Sequence, residues 1–253
     1  MKMLRVTVAS VVTLVLASFV CEPLLSATPL PGSLQIRLST PAGSVTLTDQ
    51  GGCAATGIGN CGVFTNDASD IEGTIITSGS FGAWTVNVTT GFGYPTSSQG
   101  MLELTSINMA AAPAAGTLTV QLTQTGFDLA VAQFNLAASG TIMGAGSSVA
   151  MIGSGGVNNS PFNTSNNLVA GGTFGSGPFS FDQDGTIGNS VNPYSLTATY
   201  QITGGTDSTD FTGNMLLQPA SVVQPVTEPA SILLLGAGLA GLALSKIGGR
   251  PLV

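Results

Sequence analysis

The residues of this chain that could do chemistry are few and fall in a handful of places. In "ILLLGAGLAGLAL", residues 232–244, Gly236, Gly238 and Gly241 have the spacing of the G-x-G-x-x-G dinucleotide cradle. That cradle needs a helix, a second strand and an acid ~20 residues further on. Only twelve residues follow Gly241, so these glycines serve something else. "FDQDGTIGN" sets Asp182 and Asp184 beside Gly185 with Asn189 behind, and "TNDASDIEG" offers Asp67, Asp70 and Glu72. Hard oxygen ligands on a tight glycine turn suit Ca2+. The first stretch, however, lacks the closing bidentate Glu of an EF-hand, and Asp-Gly is an ordinary turn signal. A plain turn at Asp182 and Asp184 is the expectation and calcium the alternative; no other metal or cofactor is expected. Asp207 and Asp210 in "GGTDSTDFTG" read as loop residues.

Cys53 and Cys61 lie eight apart in "GGCAATGIGNCGVF". In an exported protein such a pair is most simply a disulfide, and a redox or metal site would want C-x-x-C spacing or a histidine partner. The single Trp, Trp84, sits between Val86, Val88 and other apolar positions of "AWTVNVTT", which favours the core over a sugar-stacking platform. Phe92 and Tyr94 in "GFGYP" are the better candidates for a glycan contact.

What is missing decides more. The chain has no histidine, which removes Ser-His-Asp and Cys-His catalysis and most zinc and copper sites. No lysine stands between Lys2 and Lys246, which removes a Ser-Lys dyad. Carboxylate chemistry survives, and with it glycoside hydrolysis, but no pair of acids is marked by sequence and no catalytic residue is assigned. Between Thr28 and Val226 one base, Arg37, faces ten acids. Phosphate recognition depends chiefly on Lys and Arg, so nucleic acid is excluded as a partner.

The elements that must position these residues are strands. Charged residues make up only 7% of the chain, while Gly and Pro are plentiful at 35 and 13. That balance suits many short strands joined by turns. "SLQIRLS", "AWTVNVTT", "TLTVQLTQT" and "YSLTATYQIT" each alternate apolar with polar residues, the period of a half-buried strand. Further candidates are 43–48, 71–77, 101–109, 140–152, 167–174 and 210–217. Strands at this frequency predict an all-β, antiparallel β-sandwich. Its exposed faces would be rich in Thr and nearly free of Lys and Glu.

Both ends read as addresses. Lys2 and Arg5 precede an apolar run, Val6 to Val20, too short to span a bilayer, as in a secretory signal peptide. Phe19 and Val20 are bulky where a lipobox before Cys21 wants small residues. At the other end Glu228-Pro229 precedes the mostly apolar stretch Ala230 to Ser245, followed by Lys246 and Arg250. Leu, Ala and Gly tolerate helix in lipid, and small residues four apart allow close helix approach. This tail resembles the PEP-CTERM sorting domain of Gram-negative bacteria, also named an ice-binding protein C-terminal domain. The resemblance places Glu228 and Pro229 at the second and third positions of its Pro-Glu-Pro tripeptide, with Thr227 at the first.

The chain is thus divided into a signal peptide at 1–27, a sandwich at 28–220, a linker and sorting motif at 221–229, and a transmembrane helix with a basic tail at 230–253. The resemblance implies export to the envelope or extracellular matrix, processing by an exosortase, a membrane anchor before processing, and an association with exopolysaccharide. A non-enzymatic structural or adhesive role is expected. The alternative is a carbohydrate-binding, or less readily carbohydrate-cleaving, module exported by the same route. Ice binding is not inferred, because the tail is an address and not a site.

Overall fold

Leu34, Ile36 and Leu38 alternate with Gln35, Arg37 and Ser39, and the alternation decides which side turns inward. The three apolar side chains are wholly buried and the three polar ones half-exposed. The same rule runs through the molecule. The computed structural model describes residues 34–65, 67–94, 100–127, 133–156, 158–186 and 193–220. The expected signal helix, Cys21, Asn189, Thr227, Glu228, Pro229 and the C-terminal helix lie outside them.

The described residues form thirteen strands. They are β1 (Leu34–Thr40), β2 (Gly43–Thr48), β3 (Cys53–Gly57), β4 (Thr74–Phe81), β5 (Trp84–Tyr94), β6 (Met101–Ala111) and β7 (Thr117–Phe127). After these come β8 (Gln133–Met143), β9 (Ser148–Gly156), β10 (Asn166–Gly175), β11 (Gly177–Thr186), β12 (Tyr194–Thr203) and β13 (Thr209–Pro219). Sheet A has the order β10-β9-β12-β7-β1-β2-β3, and sheet B the order β11-β8-β13-β6-β5-β4. Every pairing is antiparallel. The all-β antiparallel two-sheet sandwich is what the sequence leads one to expect.

Within it, β6-β13-β8-β11 faces β7-β12-β9-β10, so each consecutive pair from β6 onward steps from one sheet to the other, except β9 and β10, which are neighbours in sheet A. That is the strand order of an eight-stranded jelly roll. The first five strands widen it, β1–β3 on sheet A and β4–β5 on sheet B. Between the sheets lies one continuous core holding Trp84, Tyr200, Phe81, Phe127, Phe134 and Phe211. Trp84 is 1% exposed, the core position its strand neighbours indicated.

The structure corrects three readings. The expected strand 140–152 is two strands, broken by a turn in which Gly144 and Gly146 take positive φ. The chain there leaves sheet B for sheet A, which local alternation does not register. The stretch 71–77 begins as a turn, and β4 starts at Thr74. Most consequential, "FDQDGT" is not a turn: it is the end of β11, paired in unbroken register with β8 from Gly177 to Thr186. Gly185 is there for another reason. A Cβ on it would stand 1.5 Å from the Leu168 carbonyl oxygen of β10, which crosses close by. Glycine within a strand often marks such a backbone approach.

Candidate functional site

Because side chains alternate along a strand, the outward residues of sheet B form rows across it. Register sets Ser180, Ser139 and Asn214 beside one another on β11, β8 and β13. The next row holds Asp182, Ala137, Leu216 and Glu103, on β11, β8, β13 and β6. Ala137 is short, and the longer residues around it stand as walls. The result is a groove of about 330 Å3 lined by Glu103, Ala137, Ser139, Ser180, Asp182 and Asn214. A second furrow of about 250 Å3 shares Ser139 and Asn214 and continues toward Asn108 and Thr212. Their combined size falls within the range of small-ligand sites.

The groove is held from beneath. The register of β13 against β6 shifts between Gly213 and Met215, a bulge that re-aims Asn214. Tyr200, on β12 of the opposite sheet, reaches through the core and its hydroxyl donates to the Asn214 carbonyl oxygen. Burial drives the Tyr200 phenol far above its ordinary range, so it remains a donor at every physiological pH. On the outer side Asn214 Oδ1 accepts from the Ser139 N–H at 3.1 Å and the Ser139 hydroxyl at 2.7 Å. Gly140 lets the two strands meet, since a Cβ there would lie 2.2 Å from the Thr212 carbonyl oxygen.

Asp182 and Asp184 share the outward face of β11, and Asn135 Nδ2 donates to Oδ1 of each, at 2.7 and 2.9 Å. Of the two, Asp182 lines the groove. The groove therefore presents two carboxylates, one amide and two hydroxyls, all on strands and not on loops. Such a set accepts from and donates to the hydroxyls of a sugar.

The other residues singled out from sequence go elsewhere. Asp67 is a scaffold: its carboxylate accepts from the N–H groups of Ser69 and Ile76 at 3.0 Å each and of Gln50 at 3.2 Å. Asp70 and Glu72 are exposed nearby, and Asp207 is exposed in the β12–β13 connection. Asp210, read from sequence as a loop residue, stands instead on β13, paired with Ala110 and Met143 and facing outward from sheet B. Cys53 and Cys61 are joined, with Cα atoms 5.7 Å apart, at the crossover from sheet A to sheet B. Phe92 and Tyr94 fall on the backbone of β5, and their side chains lie outside the described set. Glu103, Ser139 and Asn214 were not anticipated. Each is an ordinary polar-face residue of its own strand, and only register unites them.

The tail is decided by comparison. The model of the PEP-CTERM protein-sorting motif family matches residues 225–247. The chain carries a PEP-CTERM sorting motif. The PEP-CTERM match includes Thr227, Glu228 and Pro229, and a signal of this kind marks an exported, secreted protein. No curated protein matches the sequence. Among solved structures, similar folds include the N-terminal cellulose-binding domain of Cellulomonas fimi beta-1,4-glucanase C, at 11% identity and TM-score 0.30, covering 55% of this chain and 90% of that one. Another is the family 11 carbohydrate-binding module from Clostridium thermocellum in complex with a beta-1,3-1,4-mixed-linked tetrasaccharide, at 9% identity and TM-score 0.30, covering 61% and 94%.

Proposed function

We propose that this PEP-CTERM protein is a non-enzymatic adhesive component of the cell envelope or extracellular matrix, which holds neutral polysaccharide in the groove of sheet B. One observation carries the reading. Glu103, Ser139, Ser180, Asp182 and Asn214 come from four different strands yet converge on one concave strip, where Tyr200 and the β13 bulge fix Asn214. Hydroxyl-rich ligands match that set, and the two carboxylates turn acidic sugars away. Export by the C-terminal motif brings the groove to where such polymers are, and a membrane anchor before exosortase processing fits the apolar tail.

The test is calorimetric titration of the full chain with neutral β-glucan and β-galactan oligosaccharides. Binding in the micromolar range is expected. Replacing Glu103 with Gln, or Asn214 with Ala, should weaken it by about tenfold, the size of one lost charge-assisted or well-oriented hydrogen bond. Absence of binding across the series would remove the adhesive reading. Release of new reducing ends that Glu103→Gln abolishes would replace it with hydrolysis by Glu103 and Asp182.

A further inference from the structure

The seven strands of sheet A carry one base, Arg37, and no acid; the six strands of sheet B carry Glu103, Asp182, Asp184 and Asp210 and no base. Arg37 thus stands alone on a face of hydroxyls and amides. Its register neighbours are Thr46 on β2 and Gln121 on β7, with Thr199 beyond on β12. Among the described residues no carboxylate pairs with it. Instead Arg37 Nε and Nη2 both donate to Gln121 Oε1, at 3.1 and 2.5 Å, and Gln121 Nε2 donates to Thr199 Oγ1 at 3.4 Å.

That partner is neutral, so it orients the guanidinium without cancelling its charge. It also occupies only one edge. Arginine has five N–H donors in a rigid fork. Two are taken by Gln121 on the Nε–Nη2 edge, which leaves the Nη1–Nη2 edge, and that edge too can meet a carboxylate with two parallel hydrogen bonds.

The flat side of the guanidinium is also held. Its carbon lies 4.1 Å from the centre of the Phe162 ring, a cation–π stack. Phe162 belongs to the β9–β10 connection, which folds over the outer face of sheet A. Its N–H donates to Thr123 Oγ1 at 3.2 Å, and the preceding Ser160 carbonyl accepts from the Ser195 hydroxyl at 2.8 Å. Phe162 has a φ of +57°, a conformation bulky side chains rarely adopt and one that persists only where surrounding contacts impose it. The loop spends strain to hold the ring against Arg37.

We infer that the Arg37–Phe162 pair is a receptor for a single carboxylate on a sugar, a uronate residue of an acidic polysaccharide, on the face opposite the neutral-glycan groove. The hydroxyls and amides flanking Arg37 on β1, β2, β7 and β12 suit the sugar's own hydroxyls. One cation does not suit phosphate polymers, which need several. The acids of sheet B lie a sandwich thickness away, two sheets being ~10 Å apart, which exceeds the ~8 Å screening length at physiological salt. The inference takes from the proposed function only the setting, a polysaccharide matrix; its site and its ligand are separate.

The experiment titrates the full chain with oligogalacturonate and with the same oligomer after its carboxyls are reduced to hydroxymethyl groups. The acidic form should bind about tenfold more tightly, as a bidentate charge-assisted pair provides. Arg37→Gln should erase the difference. So should Gln121→Glu, which leaves Arg37 in place and supplies an internal carboxylate to occupy it. Asn214→Ala should leave the difference intact, so that failure here is separable from failure of the neutral-glycan groove. Equal affinity for the two oligomers, or a preference that survives both substitutions, overturns the inference. Self-association in sedimentation that Arg37→Gln abolishes, without any preference between oligomers, also overturns it and assigns the carboxylate to a second copy of the chain.

Discussion

Asp49 shows how one side chain's surroundings set its chemistry. It is 1% exposed; Oδ2 accepts from the Gly73 N–H at 2.7 Å, and Oδ1 has no partner. Burial pushes its carboxyl up; the Gly73 bond offsets part of that, and the like charges of Asp67 and Glu72 add to it. A carboxyl raised on folding binds its proton more tightly in the native state, so stability falls as pH rises from the unfolded pKa through the folded one. Asp49→Asn keeps an acceptor for Gly73 and removes the charge. It should raise Tm at pH 7 and raise it less near pH 3, where the carboxyl is mostly protonated in both states. Calorimetric scans at the two pH values check this. Part of the residue scale was legible in the sequence. The core place of Trp84 followed from its apolar strand neighbours. The roles of Asp67 and Asp182 did not, because the Gln50 and Ile76 donors to Asp67 and the strands that wall the groove lie farther off in the chain.

Strand alternation made most elements readable, since a period of two marks one face for burial wherever the sheet is half-covered. β3 escaped because as an edge strand it exposes Ala54, Ala55, Thr56 and Gly57 and shows no apolar face. β11 was half-visible in Phe179 and Phe181, but its Asp-Gly end has the composition of a turn and acquires strand geometry only by pairing with β8. The bulge in β13 left no sequence mark either, although the groove depends on it. Tyr200→Phe removes the hydroxyl that donates to the Asn214 carbonyl and leaves that oxygen buried against a ring edge. The expected cost is about 1–2 kcal/mol in unfolding free energy, together with weaker neutral-oligosaccharide binding as Asn214 loosens. Denaturant melts and titrations of the same variant should report both; loss of stability with unchanged binding would detach the bulge from the groove.

At the scale of the whole molecule, the jelly roll sorts the few charges. All consecutive strands from β6 onward except the β9–β10 pair change sheet, so residues near in sequence part company and residues far apart meet. The chain is acidic overall, at −7, with its single described base on one face and four acids on the other. One consequence concerns polyphosphates. The full chain should pass through immobilised duplex DNA unretained at about 0.15 M salt, because its five bases are outnumbered by twelve acids and Arg37 alone stands on the described strands, whereas nucleic-acid binders release many counterions from clustered bases. Retention that weakens steeply with salt would contradict the charge distribution described above.

By itself the sequence determined the fold class and the destination. Alternation is a local property, as is an apolar tail behind Glu228-Pro229, and each can be recognised without knowing what it touches. Only the tertiary structure decided which polar residues act together. Strand order and register are set by how two sheets close over a common core. The resulting fold put Glu103 and Asp182 at two sides of one groove, Tyr200 beneath Asn214, and Phe162 over Arg37.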